Sequence, residues 1–334
     1  MKVLLAGATG ALGVPLVRQL IAAGHEVTGV TRSEAGAGVL WDLGASSVVA
    51  DALDRDALLR AVDGKAADVV VHQLTALKKV PIRKKDLEPT NRLRVEGTRN
   101  LLAAAGVVGA RRFVTQSFFG GYGFVDGSGL LTEQDRFAPP GGKRFDAVWK
   151  ALASTEQQVL NAPGIEGVVL RYGGFYGPGS IGPMLDVLRK RQAPVPRGGG
   201  SFASLVYVDD AAAATVLAID RAKADEVYNI VDDEPVQWGV FIAAVTEAFG
   251  LPKPFTLPGA VLRLAAPYTG TMMTRQSLRL SNAKAKEQLG WRPSVPTYRQ
   301  GVAALAAALA RPEDVDDAPE PGRGGLRARK ESAA

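Results

Sequence analysis

The amino-acid sequence predicts an α/β fold, a doubly wound parallel sheet with a smaller, mainly helical C-terminal lobe. Two observations predict this class. The first half of the chain alternates short β-rich runs with helical patterns, and several runs are apolar throughout, as strands buried on both faces are. A glycine-rich turn also joins the first of these strands directly to the first helix. Alternation of this kind implies parallel strands joined by right-handed crossovers.

The predicted elements follow in order along the first half of the chain. Beyond Tyr172 the pattern loosens, because Gly and Pro crowd residues 173–183 and 193–200. Such stretches predict loops at the strand ends, where ligands bind in this fold. Strands are expected at 3–6, 26–31, 47–49, 68–72, 112–116 and 167–171, and helices at 12–23, 55–62, 92–105 and 146–160.

The domain organisation is predicted from the places where the pattern changes. Strands at 204–208 and 227–230, separated by a helix from Asp209, are expected to rejoin the sheet. The C-terminal residues hold Pro, Gly and mixed charges with few apolar side chains, so a flexible tail is expected there. The predicted parts are a nucleotide-fold part at 1–178 rejoined by about 204–231, a substrate lobe at 179–203 and 232–310, and a tail at 311–334.

The composition excludes several classes of function. The net charge of +6 is mild, so basic clusters such as Arg189-Lys190-Arg191 are expected to be solvated helix ends and not a nucleic-acid surface. No run of about 18 apolar residues occurs, and no membrane span is expected. The absence of cysteine excludes disulfides and thiolate metal sites, and two histidines exclude a histidine-rich site. We expect a soluble, cytoplasmic protein that acts on a small molecule without a metal.

The most specific motif is Gly7-Ala8-Thr9-Gly10-Ala11-Leu12-Gly13, which follows the first strand and opens the first helix. The first glycine permits a tight turn, the second lets the backbone approach a pyrophosphate, and the third allows helix and strand to pack closely. The helix N-terminus then offers free N–H groups and a positive dipole end to the phosphates. The motif predicts a Rossmann fold that binds a dinucleotide, with contacts at Gly7, Thr9, Gly10, Ala11, Leu12 and Gly13.

The end of the second strand, Thr31-Arg32-Ser33, indicates which dinucleotide binds. An NAD-selective site usually places an acidic residue here, which accepts a hydrogen bond from the ribose 2′-hydroxyl. Arg32 instead offers a guanidinium, which suits a 2′-phosphate. We therefore expect NADP(H) in preference to NAD(H). Asp51 and Ala52, which follow the third strand, are expected on the adenine side.

An ordered series of further fragments follows the glycine motif. The fragments are Val70-Val71-His72, Glu96-Gly97-Thr98-Arg99-Asn100-Leu101-Leu102, Leu170-Arg171-Tyr172, Phe175-Tyr176-Gly177-Pro178-Gly179, Val206-Tyr207-Val208-Asp209-Asp210-Ala211, Tyr228-Asn229-Ile230, Lys284 and Leu289-Gly290-Trp291-Arg292-Pro293. Over about residues 1–310 the chain resembles the extended short-chain dehydrogenase/reductase superfamily, in its NAD-dependent epimerase/dehydratase branch. The resemblance implies a homodimer through helices 92–105 and 146–160. It also implies cofactor contacts at Leu74, Thr75, Gln116, Gly174 and Phe175.

The catalytic pair of that family is missing from the sequence. Its enzymes carry Tyr-x-x-x-Lys, in which the tyrosine exchanges a proton with the substrate, and the lysine lowers the tyrosine pKa and binds the nicotinamide ribose. No Tyr-x-x-x-Lys occurs in this chain. If Glu156 is the family's glutamate, the two places hold Val148 and Leu152. If Lys150 is the family's lysine, the tyrosine place holds Asp146.

The serine region departs from the family pattern as well. When Tyr122-Gly123 is placed on the family's Tyr-Gly pair, Phe118 occupies the place of the catalytic hydroxyl and Ser117 precedes it. Arg94 stands where the family often has asparagine. We therefore expect a non-standard proton route, with Ser117 as the polarising donor and Tyr122 or Tyr176 as the acid.

Three functions stay open on these observations. The first is an NADP(H)-dependent oxidoreductase that acts on a carbonyl, an imine or a conjugated alkene. The second is a cofactor-dependent isomerase or epimerase without net redox change, and the third is a catalytically silent NADP(H)-binding sensor or scaffold. Aromatic and methionine side chains in the expected substrate region favour an apolar or aromatic substrate. They are Phe118, Phe119, Phe124, Trp149, Phe175, Phe202, Met272 and Met273.

Overall fold

The computed structural model describes residues 1–77, 79–125, 129–137 and 145–309, so the predicted tail at 311–334 lies outside the described residues. Each predicted strand is observed, with both ends within about two residues of the expected bounds, as is usual for assigned ends. The strands are β1 (Lys2–Ala6), β2 (Glu26–Thr31), β3 (Ser46–Val49), β4 (Val69–His72), β5 (Arg112–Phe118), β6 (Glu166–Tyr172), β7 (Gly174–Tyr176), β8 (Val195–Pro196), β9 (Phe202–Ala203), β10 (Leu205–Tyr207), β11 (Glu226–Ile230), β12 (Val236–Gln237) and β13 (Thr256–Leu257).

Helices at 182–189 and at 34–42 were not predicted, and the second of these is rich in glycine. Its glycines lower helix propensity, but the Ser33 Oγ caps it by accepting from the Gly36 N–H at 3.2 Å. The predicted helix at 92–105 belongs to a longer helical segment with a π turn at Leu93–Gly97. The helices are α1 (Gly13–Ala22), α2 (Glu34–Asp42), α3 (Arg55–Val62), α4 (Glu88–Arg92), α5 (Thr98–Val108), α6 (Asp146–Leu160), α7 (Gly182–Arg189), α8 (Val208–Arg221), α9 (Trp238–Ala248), α10 (Gly259–Ala265), α11 (Thr269–Arg275) and α12 (Tyr298–Leu309).

Seven parallel strands form the main sheet, in the order β11-β6-β5-β4-β1-β2-β3. Residues Ala6, His72 and Thr115 lie side by side in the register of β1, β4 and β5. The strand order reverses between β1 and β4, and ligands of open α/β sheets bind in the crevice outside the carboxyl ends at such a point. The prediction of a doubly wound parallel sheet is confirmed.

The expectation that residues 204–208 rejoin the sheet is wrong. β10 pairs instead with β7 in a separate two-stranded sheet, whereas β11 pairs with β6 as expected. The chain leaves the main sheet at Gly173, whose N–H still donates to the Ile230 carbonyl at 3.0 Å. A Cβ at Gly173 would lie 2.7 Å from the Ser204 carbonyl oxygen, so glycine allows β7 and β10 to meet there.

Apolar side chains pack on both faces of the sheet. One cluster joins the sheet to α1 and α8 and includes Leu5, Leu16 and Trp291, and a second joins it to α3 and α5. A third cluster forms the core of the C-terminal lobe around Tyr176 and Phe241. In the part of the chain that the structure describes, no helix is both long and apolar enough to cross a membrane.

Candidate active site

The glycine turn between β1 and α1 has the shape that a pyrophosphate requires. Gly7 has a φ of +92°, a conformation that favours glycine, and a Cβ there would lie 2.6 Å from the Gln73 carbonyl oxygen. A Cβ at Gly13 would collide with the Gly7 carbonyl oxygen. The Gly10 N–H donates to that same carbonyl at 3.0 Å, which closes the turn. Gly7 and Gly13 thus let the turn pack closely against Gln73 and against the start of α1.

The other residues of the turn divide between surface and interior. Thr9 and Ala11 are exposed, whereas Leu12 is buried in the core. Leu12 is also the N-cap of α1, and no side chain caps this helix. The Val14 N–H donates to the Gly10 carbonyl at 3.0 Å, the Leu16 N–H donates to the Leu12 carbonyl at 3.1 Å, and Pro15 has no N–H. The first turn therefore leaves the Gly13 N–H for a ligand. A Cβ at Gly179 would lie 3.7 Å from the Ala11 Cα. The glycine-rich loop after β7 therefore lies against the phosphate turn.

The predicted adenine-side residues lie beyond β2 and β3, which are neighbours in the sheet. Arg32 is exposed at the end of β2. Asp51 is also exposed, and its Oδ1 accepts from the Leu53 N–H at 2.9 Å. The Ala52 carbonyl accepts from Asn100 Nδ2 at 2.8 Å, which fixes this loop on α5. The structure thus places Arg32 and Asp51 at one edge of the same crevice.

The predicted nicotinamide-side residues come from β4, β5 and β7. Gln116 Nε2 donates to the Leu74 carbonyl at 2.9 Å, and the Leu74 N–H lies beside Gly7. Thr75, the next residue, is exposed. In β7, Gly174 and the half-buried Phe175 pair with β10. Together with the glycine turn, these residues fit a dinucleotide that lies along the carboxyl edge of the sheet. Which of them contact it stays a prediction.

At the places that the alignment on Glu156 gives to the family's catalytic pair, this structure has an apolar cluster. Val148 and Leu152 are only 3% and 1% exposed, and Phe118 packs against the same cluster. Lys150 is exposed, so it does not point into this cluster. Tyr268, from the C-terminal lobe, closes the cluster and stacks on Phe145 with ring centroids 5.4 Å apart. The remaining members are Leu87, Phe137, Trp149 and Met272.

The Ser117 hydroxyl is buried and has a protein partner. Its Oγ donates to Glu156 Oε1 at 2.6 Å. The same carboxylate accepts from Arg171 Nε at 3.0 Å and from Arg171 Nη2 at 2.7 Å. Glu156, on α6, is thereby bonded to both β5 and β6, through Ser117 and Arg171. In this geometry the Ser117 hydroxyl hydrogen-bonds to the carboxylate of the ion pair. Its role as polarising donor stays a prediction, which this geometry does not favour.

The Tyr122 hydroxyl belongs to the same buried network. It accepts from Arg171 Nη1 at 2.9 Å and donates to Asn229 Oδ1 at 2.8 Å. Burial raises the pKa of Tyr122 to about 12, against the opposing effect of the Arg171 charge. A phenol with both hydrogen-bonding directions filled, and with a raised pKa, is poorly placed to act as the acid.

Tyr176 lies in the core of the C-terminal lobe. It is fully buried, and its hydroxyl donates to Asp232 Oδ2 at 2.7 Å. Burial raises its pKa above the ordinary value, and the adjacent Asp232 charge adds to the effect. Burial likewise raises the pKa of Asp232 to about 8. The structure therefore does not bring Tyr176 together with Ser117 and Tyr122 at one reaction centre.

Two polar residues at the apolar cluster were not among the predicted site residues. Arg94 is half-buried on the π turn, and its Nη1 donates to Asn91 Oδ1 at 3.1 Å. Burial raises the pKa of Tyr268 to about 12, although the nearby Arg94 charge lowers it. The sequence did single out Arg94, because it stands where the family often has asparagine. No local pattern connected Arg94 with Tyr268, which is distant in the sequence.

The aromatic residues expected near the substrate divide into two groups. Phe118, Trp149 and Met272 belong to or pack against the apolar cluster, and the exposed Phe124 lies 5.3 Å from the Trp149 ring. The others lie elsewhere: Phe119 and Met273 are in the core of the C-terminal lobe, the Phe202 ring lies under Arg279, and Phe175 packs against Tyr172.

The fold and the glycine turn define a dinucleotide-dependent α/β enzyme. The model of the NAD dependent epimerase/dehydratase family matches residues 3–231, and the chain belongs to that family. It is 39% identical to a 3-diazoavenalumate denitrifying reductase from a Streptomyces species over 321 residues, which cover 90% of this chain and 99% of the relative. These findings confirm the prediction of an oxidoreductase within the extended short-chain dehydrogenase/reductase superfamily.

More distant similarities agree with this assignment. A 4-hydroxy-2-methyl-3-oxo-4-farnesyl-3,4-dihydroquinoline-1-oxide ketoreductase from Stigmatella aurantiaca is 28% identical over 92% of this chain and 96% of its own. Among solved structures, UDP-glucose 4-epimerase from Thermotoga maritima has a TM-score of 0.75 at 23% identity, covering 93% of this chain and 99% of its own. A human epimerase family protein with NADPH has a TM-score of 0.73 at 22% identity, covering 92% and 99%.

Proposed function

We propose that this enzyme is an NADP(H)-dependent reductase that removes nitrogen from an aromatic diazo acid. One observation carries the proposal: beside an intact dinucleotide turn, the places that the alignment on Glu156 and on Tyr122-Gly123 gives to the family's proton-handling groups hold Phe118, Val148 and Leu152 in apolar contact. Carbonyl reduction consumes a proton at the oxygen, and a positioned acid normally supplies it. A substrate that accepts a hydride without a proton removes that requirement.

A diazonium group is an acceptor of this kind. An arenediazonium ion that takes up one hydride, with its two electrons, loses N2 as the C–N bond breaks, and the hydrogen stays on the ring carbon. Arenediazonium and NADPH thus give arene, N2 and NADP+, and both charge and hydrogen balance without a proton from the protein. NADPH, when bound, supplies the hydride.

The chain's own residues would bind and shield the reactants. The glycine turn holds the pyrophosphate. At the apolar cluster, the half-buried Phe118 and the exposed Phe124 offer aromatic surface, which would pack against an arene and attract a cation. A cluster this apolar also excludes water from the cleft, and water is the nucleophile that destroys a diazonium ion.

The Streptomyces relative supports the substrate class, because its name specifies a diazo acid and a denitrifying reduction. The Stigmatella ketoreductase supports a second candidate, reduction of a ketone. One observation favours that alternative: the Arg94 charge acts on the Tyr268 phenol in the direction in which the missing lysine would, although burial has the larger effect and the pKa is raised to about 12. Tyr268 would then give the proton to the carbonyl oxygen.

The preference for NADP(H) belongs to the proposal. Arg32 is exposed at the end of β2 and lies at the edge where a 2′-phosphate would emerge. The described end of β2 carries no acidic side chain that would accept from a ribose 2′-hydroxyl, since Thr31 and Ser33 flank Arg32.

The test incubates the full chain with NADPH deuterated at the transferable position and with either 3-diazoavenalumate or para-carboxybenzenediazonium. We expect one N2 and one deuterated arene for each NADPH consumed, faster than in a protein-free control. A Gly13→Val variant, which cannot form the turn, is the second control. No acceleration over these controls would reject the proposal. Reduction of an aryl ketone that Tyr268→Phe abolishes would establish the second candidate instead.

A further inference from the structure

Arg94 is held at a fixed position beside the apolar cluster. It lies on the π turn between α4 and α5, and such turns recur at functional sites. Its carbonyl accepts from Thr98 Oγ1 at 2.5 Å and from Thr155 Oγ1 at 2.7 Å. The second bond ties the π turn to α6, the helix that carries Val148. The backbone of Arg94 is thus anchored from two helices.

The guanidinium of Arg94 has a neutral partner and no counter-ion among the described residues. Its hydrogen bond goes to the Asn91 side-chain amide. Burial lowers the pKa of Arg94 to about 10, because the charged form is desolvated. Arg171, the other buried arginine of this region, differs because Glu156 neutralises it. A partly buried guanidinium that is not neutralised favours an anionic ligand, because an unpaired buried charge is costly.

The surroundings of Arg94 identify what kind of anion fits. The π turn that carries Arg94 is bonded to α6 through Thr155, about one helical turn beyond Leu152, and Leu152 packs with Phe145 and Tyr268. The Arg94 charge also lowers the pKa of Tyr268, against the larger effect of burial. His72, at the end of β4, also senses the Arg94 charge, but burial already lowers the pKa of His72 to about 4, so it adds no positive charge near neutral pH. The site therefore joins one cation to an aromatic surface.

We propose that Arg94 binds the carboxylate of an aromatic acid substrate, with the aromatic ring of that substrate against Phe118, the half-buried ring that packs on the apolar cluster. This inference rests on the proposed function for the reaction, but the anion site itself is independent of it. Asn91 is the positioning residue, since its amide oxygen orients the guanidinium. A carboxylate would receive two parallel N–H bonds from such a group.

The binding test uses benzoate, the product of reducing para-carboxybenzenediazonium, and methyl benzoate, its uncharged counterpart. Calorimetry on the complex with NADP+ should show that Arg94→Gln weakens benzoate binding at least about tenfold and leaves methyl benzoate unchanged. Arg94→Lys should restore part of the loss. The matched control is Arg99→Gln, an exposed arginine on the adjoining helix α5, which should behave as wild type.

Asn91→Asp provides a second, independent variant. It puts a permanent carboxylate beside the guanidinium, and this internal anion should compete with benzoate and raise its dissociation constant. Circular dichroism and melting temperature verify that each variant is folded. The proposal is overturned if wild type does not bind benzoate, or if Arg94→Gln weakens NADP+ and leaves benzoate unchanged, which would make Arg94 a cofactor residue.

Turnover separates failure of this inference from failure of the proposed reaction. With para-carboxybenzenediazonium, Arg94→Gln should raise KM at least about tenfold and change kcat little. The methyl ester should show no difference between variant and wild type. If N2 is released with an unchanged KM, the Arg94 assignment is wrong and the reaction stands. If benzoate binding depends on Arg94 but no N2 is released, the anion site stands and the reaction is wrong.

Discussion

Arg171 and Glu156 form a buried two-point ion pair between β6 and α6, with Nη2 2.7 Å from Oε2 and Nε 3.0 Å from Oε1. Ser117 and Tyr122 attach to this pair through their hydroxyl groups. The Arg171 guanidinium also lies 3.8 Å above the Phe137 ring centroid. The pair therefore organises the polar interior behind the candidate active site.

Glu156→Ala should lower the free energy of unfolding by about 3–5 kcal/mol, because it leaves the Arg171 charge buried and unpaired. Urea denaturation of the purified protein measures the change. Glu96→Ala is the matched control, since Glu96 pairs with Arg92 on an exposed helix surface and should melt as wild type does. Equal losses in the free energy of unfolding of the two variants would show that the buried pair contributes no more to stability than the exposed one.

Tyr122→Phe decides between a structural and a catalytic role for this hydroxyl. Because the phenol bonds to both Arg171 and Asn229, we expect a loss of about 1–3 kcal/mol in the free energy of unfolding. The kcat with para-carboxybenzenediazonium should change only a few-fold. A loss of about a hundredfold or more in kcat, typical of a removed general acid, would restore the sequence-based assignment.

The two glycines at the start of α1 should differ in their tolerance to alanine. A Cβ at Gly13 collides with the Gly7 carbonyl, whereas a Cβ at Gly10 meets the same oxygen at 3.3 Å. Gly13→Ala should therefore cost about 1–3 kcal/mol of stability by overpacking and weaken NADPH binding. Gly10→Ala should keep the fold. Fluorescence titration with NADPH and thermal melting give both quantities, and indistinguishable variants would contradict the close packing.

Arg32→Ala tests the cofactor preference. If the guanidinium contacts a 2′-phosphate, the variant should bind NADPH about tenfold to a hundredfold more weakly. NADH, which lacks that phosphate, should bind as before. Titration of both cofactors against both proteins measures this ratio. Equal weakening of NADPH and NADH would remove the 2′-phosphate explanation and leave Arg32 as a general surface contact.

Asp232 should make stability depend on pH. Burial raises its pKa from 3.8 to about 8, so the folded protein holds a proton that the unfolded chain releases. The stability that this group contributes is complete below about pH 4 and is lost as the pH rises towards about 8. The free energy of unfolding of wild type minus that of Asp232→Asn should therefore fall over this range. A difference that stays flat with pH would show that Asp232 remains ionised in the fold.

Local patterns sufficed where the structure depends on nearby residues. The glycine spacing of residues 7–13 predicted the phosphate turn, because the tight turn and the close packing that require glycine occur within one strand-turn-helix unit. The helix at 34–42 was missed because its glycines hide a helix that Ser33 begins. The hydrogen-bond partners of the Ser117 and Tyr122 hydroxyls could not be predicted, because Glu156 and Asn229 are distant from them in the sequence.

By itself, the sequence determined the parallel strands of the main sheet, the dinucleotide turn and the loss of the Tyr-x-x-x-Lys pair, since each of these is a property of residue type at a given spacing. Only the tertiary structure decided which side chains surround the positions of the missing Tyr-x-x-x-Lys pair. Leu87 and Tyr268 reach Val148 and Leu152 from remote segments. The Arg94 carbonyl accepts from Thr155 on the same helix, and its guanidinium has no carboxylate partner among the described residues. Packing between distant segments depends on their meeting in space, which no periodicity along the chain records.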